Sequence, residues 1–126
     1  MEIKKCNISY LNQKFDINQK FINQLYDYYI LLNDNICYGY IIILNVDVID
    51  IIYIFTDEKY RNKQVATNLL KYIITFKKKI FLEVSSFNSI AINLYNKLGF
   101  KLNRIRKDYY SIGEDGLEMM RNYDEI

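Results

Sequence analysis

The chain contains no histidine and no proline, and it has only two cysteines among 126 residues. Without histidine, neither a zinc site nor a Ser-His or Cys-His nucleophile system is expected. Cys6 and Cys37 are far apart and match no metal-ligand spacing, so we predict no metal cofactor. Two buried free thiols would fit a reducing compartment, although the sequence also permits a disulfide between them.

Strong charge and long apolar runs are also missing. The formal net charge is +2, which argues against a large electrostatic surface for nucleic acid or for an anionic membrane. The most apolar region, 36–54, is interrupted by Asn45, Asp47 and Asp50, so it lacks the roughly 20 apolar residues of a spanning helix. The first residues, MEIKKCNISYL, contain no apolar signal core. We therefore expect a cytoplasmic protein that contacts neither nucleic acid nor membrane directly.

The length of 126 residues predicts a single domain, 1–126, and the hydrophobic content of 51% is enough to build a core. Apolar spacing predicts helices at 16–26, with Asp16 as the cap, at 65–74 and at 90–98, where Gly99 ends the last one. Strands are predicted at 3–11, 28–32, 36–46, 49–56, 80–85, 100–106 and 117–123, with a tight turn at 33–35 and a loop at 108–115. This β-α-β-β-β-α-β-α-β-β order predicts an α/β (α+β) fold with a mixed, mostly antiparallel sheet and helices on both faces.

The segment EKYRNKQVATNLL, at 58–70, joins a predicted strand to a predicted helix. Backbone N–H groups at the start of a helix have no partners within it, and the helix dipole adds about half a positive charge there. A phosphate is the natural ligand of such a turn. The segment contains no glycine and matches neither a Walker loop nor a Rossmann fingerprint, so on its own a plain loop with basic residues in solvent is the more common explanation.

Two motifs together indicate a known family. Arg61-x-x-Gln64-x-Ala66 resembles the pyrophosphate turn of GNAT-type N-acetyltransferases, Q/R-x-x-G-x-G/A, with Gln64 standing where the first glycine is usual. The region from Leu82 to Phe100 resembles the RimI-type branch, the ribosomal-protein alanine N-acetyltransferases, through Leu82-Glu83-Val84, Asn88, Leu94-Tyr95 and Leu98-Gly99-Phe100. Tyr109-Tyr110 followed by Gly113-Glu114-Asp115 resembles a loop of the same enzymes. The likeness is strong from about residue 49 to 123 and weaker before, where one helix replaces the usual two.

The resemblance implies a GNAT fold, with a sheet splayed at a cleft for the co-substrate acetyl-CoA. It implies that Glu83 is the general base and that Tyr95 gives a proton to the sulfur. It also implies that Tyr109 and Tyr110 flank the acceptor, the α-amine of a protein or peptide N terminus and specifically the N-terminal alanine of a small-subunit ribosomal protein. The implied cofactor-binding residues are Ile54, Phe55, Thr56, Arg61, Asn62, Lys63, Gln64, Val65, Ala66, Thr67 and Asn88.

Each assignment has a structural alternative. An acid in a short strand often lies at an edge and reaches water, although strand alternation turns Glu83 away from its most apolar neighbours. Tyr95 is one of 13 tyrosines and could serve packing alone. Tyr109 and Tyr110 could pack against other tyrosines such as Tyr26, Tyr28 or Tyr29. For the whole protein, two alternatives stay open: an acetyltransferase for a small amine or a lysine side chain, and a non-catalytic domain that binds CoA or a protein.

Overall fold

A computed structural model describes residues 1–61 and 63–124. The helices are α1 (Ile8–Lys14), α2 (Val65–Ile74) and α3 (Ser89–Lys97), with short 3-10 turns at Gln19–Phe21 and Glu58–Tyr60. The strands are β1 (Glu2–Cys6), β2 (Asp27–Asn33), β3 (Ile36–Asn45), β4 (Ile49–Thr56), β5 (Ile80–Ser85), β6 (Lys101–Ser111) and β7 (Glu114–Arg121). The order of helices and strands is therefore the one predicted from the sequence.

The seven strands form one mixed sheet in the order β1-β2-β3-β4-β5-β7-β6. The pairs β1–β2, β2–β3, β5–β7 and β6–β7 are antiparallel, whereas β4 and β5 run parallel. Strands β4 and β5 pair at their first residues, where Ile49 lies opposite Ile80 and Asp50 lies opposite Phe81.

The chain divides into two compact units, and the first contains Met1–Val46 and Ile51–Phe76. Its strand β2 is nearly all buried, and alternate side chains point to opposite faces of the sheet. Tyr28, on one face, lies in a core cluster with Leu11 of α1. Tyr29, on the other face, packs its ring against Tyr72 of α2 at 5.5 Å between centroids. Helices therefore cover both faces of this part of the sheet.

The second unit contains Asp47–Asp50 and the chain from Lys77 onward. Burial alternates along β5, where Ile80, Leu82 and Val84 are buried and Glu83 lies on the half-buried face, as predicted. Helix α3 ends at Lys97 with Leu98 as its C-cap, and Gly99 follows with a φ of 94°, in the left-handed region that glycine adopts without strain. The buried guanidinium of Arg121 donates to the carbonyl of Leu98 at 2.7 Å. The end of β7 is thereby tied to the end of α3.

The prediction for the first 26 residues was wrong in two respects. Strand β1 ends at Cys6, and the helix follows at once as α1, not at 16–26. Asn7 is the cap, because its side chain accepts from the backbone N–H of Tyr10 at 2.9 Å. In the predicted helix, the side chains of Asn18 and Asn23 bond to the backbone two residues on, which competes with helical hydrogen bonds. A single 3-10 turn remains there.

The C-terminal hairpin also differs from its prediction. Strand β6 continues to Ser111 through most of the segment expected to be a loop, and β7 already begins at Glu114. Asp108 lies within β6 with a φ of 52°, and the register shifts between Arg106 and Ser111. Because the pairing is irregular here, β6 can contain residues that are typical of a loop. The turn at 33–35 is confirmed, because Asp34 and Asn35 have φ values of 52° and 67°.

Candidate active site

The predicted phosphate turn lies in the first unit, at the start of α2. Gln64 is the residue before the helix, and its φ of 59° and ψ of 33° are left-handed. Its side chain makes no capping hydrogen bond, while its carbonyl accepts from the N–H of Asn68 at 3.0 Å. The backbone here thus has a left-handed conformation that glycine adopts without strain. Arg61 and Lys63 are exposed beside it, whereas Asn62 lies outside the described residues.

The rest of the predicted cofactor site in this unit follows from tight packing. Val65 is buried under Gly39 of β3, and a Cβ on Gly39 would lie 2.8 Å from its side chain and would overlap the carbonyl of Phe55. Gly39 therefore lets the end of β4 come close to β3. Two further groups of predicted cofactor residues are half-buried: Ile54, Phe55 and Thr56 on β4, and Ala66 and Thr67 on α2.

A cavity of about 310 Å³ also lies in the first unit. Aromatic rings make up most of its wall, and neighbouring rings stack or meet edge to face, as Phe15 does with Phe55 at 5.1 Å between centroids. The polar residues Asp16 and Asn18 also line the cavity. The full lining is Phe15, Asp16, Asn18, Phe21, Tyr40, Tyr53 and Phe55. Aromatic faces beside a carboxylate can bind an organic ammonium group.

Glu83 lies in the second unit, on the half-buried face of β5. Its Oε1 accepts from Nε of Arg106 at 3.0 Å, and Nη2 of the same guanidinium lies 3.4 Å from Oε2 of Glu118. The Glu83 and Arg106 side chains are 27% and 31% exposed, so water still reaches the carboxylate. Glu118 in turn contributes to a raised pKa at Asp50, although burial is the larger cause. Glu83 is thus part of a charged cluster, not an isolated edge residue.

Space for the Glu83 carboxylate is provided by Gly116 of β7. A Cβ built on Gly116 would lie 2.7 Å from Oε1 of Glu83 and 2.9 Å from Cδ2 of Tyr109. Both distances are shorter than a real Cβ contact, so a side chain at this position would force the carboxylate or the ring to shift. The guanidinium of Arg106 also lies over the Tyr109 ring, 5.7 Å from its centroid.

Tyr95 and the two hairpin tyrosines share this region. Burial raises the pKa of Tyr95, and the nearby Tyr110 raises it further. Burial likewise raises the pKa of Tyr110, with smaller contributions from Glu83, Tyr109 and Glu114. Glu83 thus contributes to the raised pKa of Tyr110, and Tyr110 contributes to the raised pKa of Tyr95.

Tyr109 and Tyr110 pack on each other edge to face at 5.0 Å, and they are 57% and 48% exposed. Tyr28 and Tyr29 have other partners: the Tyr28 hydroxyl donates to the Phe21 carbonyl, and the Tyr29 ring packs on α2. Two exposed aromatic rings beside a carboxylate are better placed to contact a ligand than to stabilise a core.

The β6–β7 hairpin is tied to the end of β5 by short polar contacts. The Ser85 hydroxyl donates to Oε2 of Glu114 at 2.5 Å, and the Ser111 hydroxyl donates to Oε1 of the same residue at 3.1 Å. Asp115 donates its N–H to the Ser86 hydroxyl at 2.9 Å, and Ser86 donates its own N–H to the Asp115 carbonyl. These bonds hold the hairpin that carries both tyrosines against the strand that carries Glu83.

Asn88 caps α3, because its Oδ1 accepts from the N–H of Ala91 at 3.1 Å. Asn88 therefore serves as the helix cap, while its cofactor-binding role stays a prediction. Cys6 and Cys37 are free thiols, and burial raises the pKa of Cys6 to about 11.

Within residues 1–61 and 63–124, no cluster of three metal-ligating side chains occurs. Over the same residues, no helix has the length and hydropathy to cross a membrane.

Three residues near Glu83 were not assigned from the sequence: Arg106, Gly116 and Glu118. Arg106 begins the Arg-Lys-Asp-Tyr-Tyr run, so its position beside the tyrosines was visible. Its pairing with Glu83 was not, because that contact joins β6 to β5 across β7. Nothing in the sequence distinguishes Gly116 or Glu118 from ordinary strand residues.

The fold is that of the GNAT class of proteins. The chain belongs to the acetyltransferase (GNAT) family, whose model matches residues 4–100. Among relatives, an N-alpha-acetyltransferase of Saccharolobus solfataricus is 43% identical over 70 residues. That match covers 51% of this chain but only 42% of the relative's length.

Solved structures show the same fold. The ribosomal-protein-S18-alanine N-acetyltransferase from Escherichia coli superposes with a TM-score of 0.86, covering 99% of this chain and 95% of that one at 23% identity. A GNAT family acetyltransferase from Elizabethkingia anophelis, solved with acetyl-CoA bound, gives a TM-score of 0.72 over 83% of each chain at 21% identity. The predicted GNAT fold is thus confirmed.

Proposed function

We propose that this protein transfers the acetyl group of acetyl-CoA to the α-amine of a protein N terminus. The observation that carries the proposal is the Glu83 carboxylate beside the exposed rings of the Tyr109–Tyr110 pair, where both Glu83 and Tyr109 lie against Gly116, in a chain of the GNAT family. The finer proposal is that the acceptor is the N-terminal alanine of a small-subunit ribosomal protein, which implies a cytoplasmic location. The named relatives and the RimI-type motif support it.

In this proposal the first unit holds the co-substrate. The free N–H groups at the start of α2 and the exposed Arg61 and Lys63 suit a diphosphate, and the left-handed Gln64 keeps the turn in the required shape. The backbone N–H groups of 54–56 bind the thioester oxygen, where negative charge develops during attack. Acetyl-CoA supplies the activated acyl group, and no covalent enzyme intermediate is needed.

The second unit moves the protons. The carboxylate of Glu83 takes a proton from the acceptor ammonium, directly or through water, because an α-amine with a pKa of about 8 is mostly protonated at pH 7. The neutral amine attacks the thioester carbon, and the carbon–sulfur bond breaks. Tyr95 gives its phenolic proton to the departing thiolate and recovers one from the new amide nitrogen. Burial raises the pKa of Tyr95, so it carries this proton throughout the neutral range.

The test is acetylation of peptides with free N termini, including one that begins with alanine, read by mass spectrometry. A peptide with a blocked N terminus and an internal lysine should gain no acetyl group. Glu83→Gln should lower kcat/KM by about 100-fold or more, since general-base catalysis contributes that much. Glu2→Gln, an exposed glutamate on β1, is the matched control and should keep the wild-type rate. Full activity of Glu83→Gln would assign the base to another residue.

A second candidate is an acetyltransferase for a small amine. The aromatic cavity of the first unit favours it, because rings and the Asp16 carboxylate together suit an organic cation. The same assay separates the two when polyamines and aromatic amines are included beside the peptides. Transfer to small amines without transfer to any peptide would replace the first proposal.

A further inference from the structure

We infer that Arg106 is a positioning residue for the proposed base: it binds one oxygen of Glu83, offsets the charge of Glu118, and leaves the second oxygen of Glu83 for the acceptor's proton. This inference rests on the proposed function, in which Glu83 accepts that proton. It concerns a residue outside the catalytic pair, because Arg106 acts through Glu83.

The need for a cation follows from the sheet register. Glu83 of β5 and Glu118 of β7 are direct cross-strand partners, so their side chains project from the same face. Two carboxylates in this arrangement repel each other, and one of them would tend to take up a proton. A base that already holds a proton cannot accept another, so the pair requires compensation if Glu83 is to work near neutral pH.

Arg106 supplies this compensation with both ends of its guanidinium. Nε contacts Glu83 at 3.0 Å, while Nη2 contacts Glu118 at 3.4 Å. Along the 11 residues of β6, Arg106 is the single side chain that is not exposed. The planar guanidinium presents donors in a fixed fork, which a lysine ammonium cannot reproduce. The position and the residue type thus both fit a bridging role.

The contact also selects which oxygen is available. Among the described residues, the hydrogen bond made by the Glu83 side chain uses Oε1. Oε1 is also the atom that lies over Gly116, whose missing Cβ makes room for it. Oε2 is left to meet the acceptor ammonium. A carboxylate held at one oxygen keeps a fixed orientation, which is what proton transfer over hydrogen-bond distance requires.

Other charged and titratable groups surround the pair. Tyr109 and Tyr110 face it from β6, and Tyr110 interacts with both Glu83 and Glu114. Asp50 of β4 interacts with Glu118, and Tyr95 of α3 interacts with Tyr110. Arg104 is the cross-strand partner of Glu118 but is exposed. Among the described residues, the guanidinium of Arg106 contacts the Glu83 carboxylate.

The test is the pH dependence of peptide acetylation in three variants and a control. Arg106→Gln should move the acidic limb of kcat/KM up by about one pH unit, a loss of about tenfold below the midpoint that recovers as the pH rises. Arg106→Lys should restore part of this shift. The double variant Arg106→Gln, Glu118→Gln should move the limb back toward wild type, because the facing charge is gone. Arg104→Gln, from the same strand, should leave the limb in place.

A profile of Arg106→Gln that coincides with that of Arg104→Gln would overturn the inference. So would a loss that is equal at every pH and is not relieved by Glu118→Gln, since that pattern indicates a purely structural role. The titration of the Glu83 carboxyl carbon by NMR gives a readout without turnover, and its midpoint should move up in Arg106→Gln. If wild type acetylates no peptide, the proposed function fails, and this midpoint alone decides the inference.

Discussion

Gln64 is a non-glycine residue in a left-handed conformation, so replacing it with glycine should stabilise the protein. An L-residue with a φ of 59° and a ψ of 33° pays roughly 1–2 kcal/mol relative to glycine. Glycine loses more chain entropy on folding, which offsets about 0.5–1 kcal/mol. No capping bond is lost, because the Gln64 side chain makes none. The net gain should be about 0.5–1 kcal/mol, or about 2–4 °C in Tm for a chain of this size.

The assay is thermal unfolding of wild type and Gln64→Gly, with and without CoA. Lys77→Gly is the matched control, because Lys77 has a similar φ of 58° but lies outside the proposed phosphate turn. Both variants should have a higher Tm than wild type. Added CoA should raise the Tm of wild type and of Lys77→Gly equally, since a ligand stabilises the state that binds it. It should raise the Tm of Gln64→Gly by at least as much.

Three results would contradict this reasoning. A lower Tm for Gln64→Gly would mean that the residue is not left-handed in solution. No effect of saturating CoA on any of the three proteins would remove the proposed co-substrate site and would favour an interaction domain on the same fold. A loss of CoA binding in Gln64→Gly alone would show that the glutamine side chain, not the backbone, holds the ligand.

Two further predictions concern Gly116 and Tyr40. Gly116→Ala should lower peptide acetylation at least tenfold with little change in Tm, because its Cβ would displace Glu83 or Tyr109. Gly113→Ala is the contrast: its Cβ meets nothing within 4 Å, so its φ of 82° should cost stability but not kcat/KM, and equal rates in both variants would contradict the contact. Burial raises the pKa of Tyr40 to about 12 from 10.0, so between these values the unfolded chain binds fewer protons and stability falls as the pH rises. Tyr40→Phe should reduce that fall by up to about 1.4 kcal/mol per pH unit in urea unfolding, and equal slopes would contradict the assignment.

Much of the fold could be predicted because its signals are local. The apolar spacing of 65–74 and the glycine after α3 place two helices without reference to the rest of the chain. Alternation along 80–85 places Glu83 on the less buried face. The helix at 8–14 was missed although its cap, Asn7, is also local, because the apolar residues of 17–25 formed a competing helical pattern that asparagine side chains disrupt.

The site divides in the same way. Glu83, Tyr95 and the two hairpin tyrosines could be proposed as site residues from the sequence, because the motif that resembles the RimI-type enzymes is nearly contiguous. The partners of Glu83 could not, since Arg106 and Glu118 meet it only through the register of three strands, and register depends on the packing of the whole sheet. The space over Gly116 has the same origin, because it exists only where two other strands bring a carboxylate and a ring together. The amino-acid sequence therefore determines which chemical groups this protein has and which helices and strands carry them. The pairing of strands in the tertiary structure determines which charges face one another.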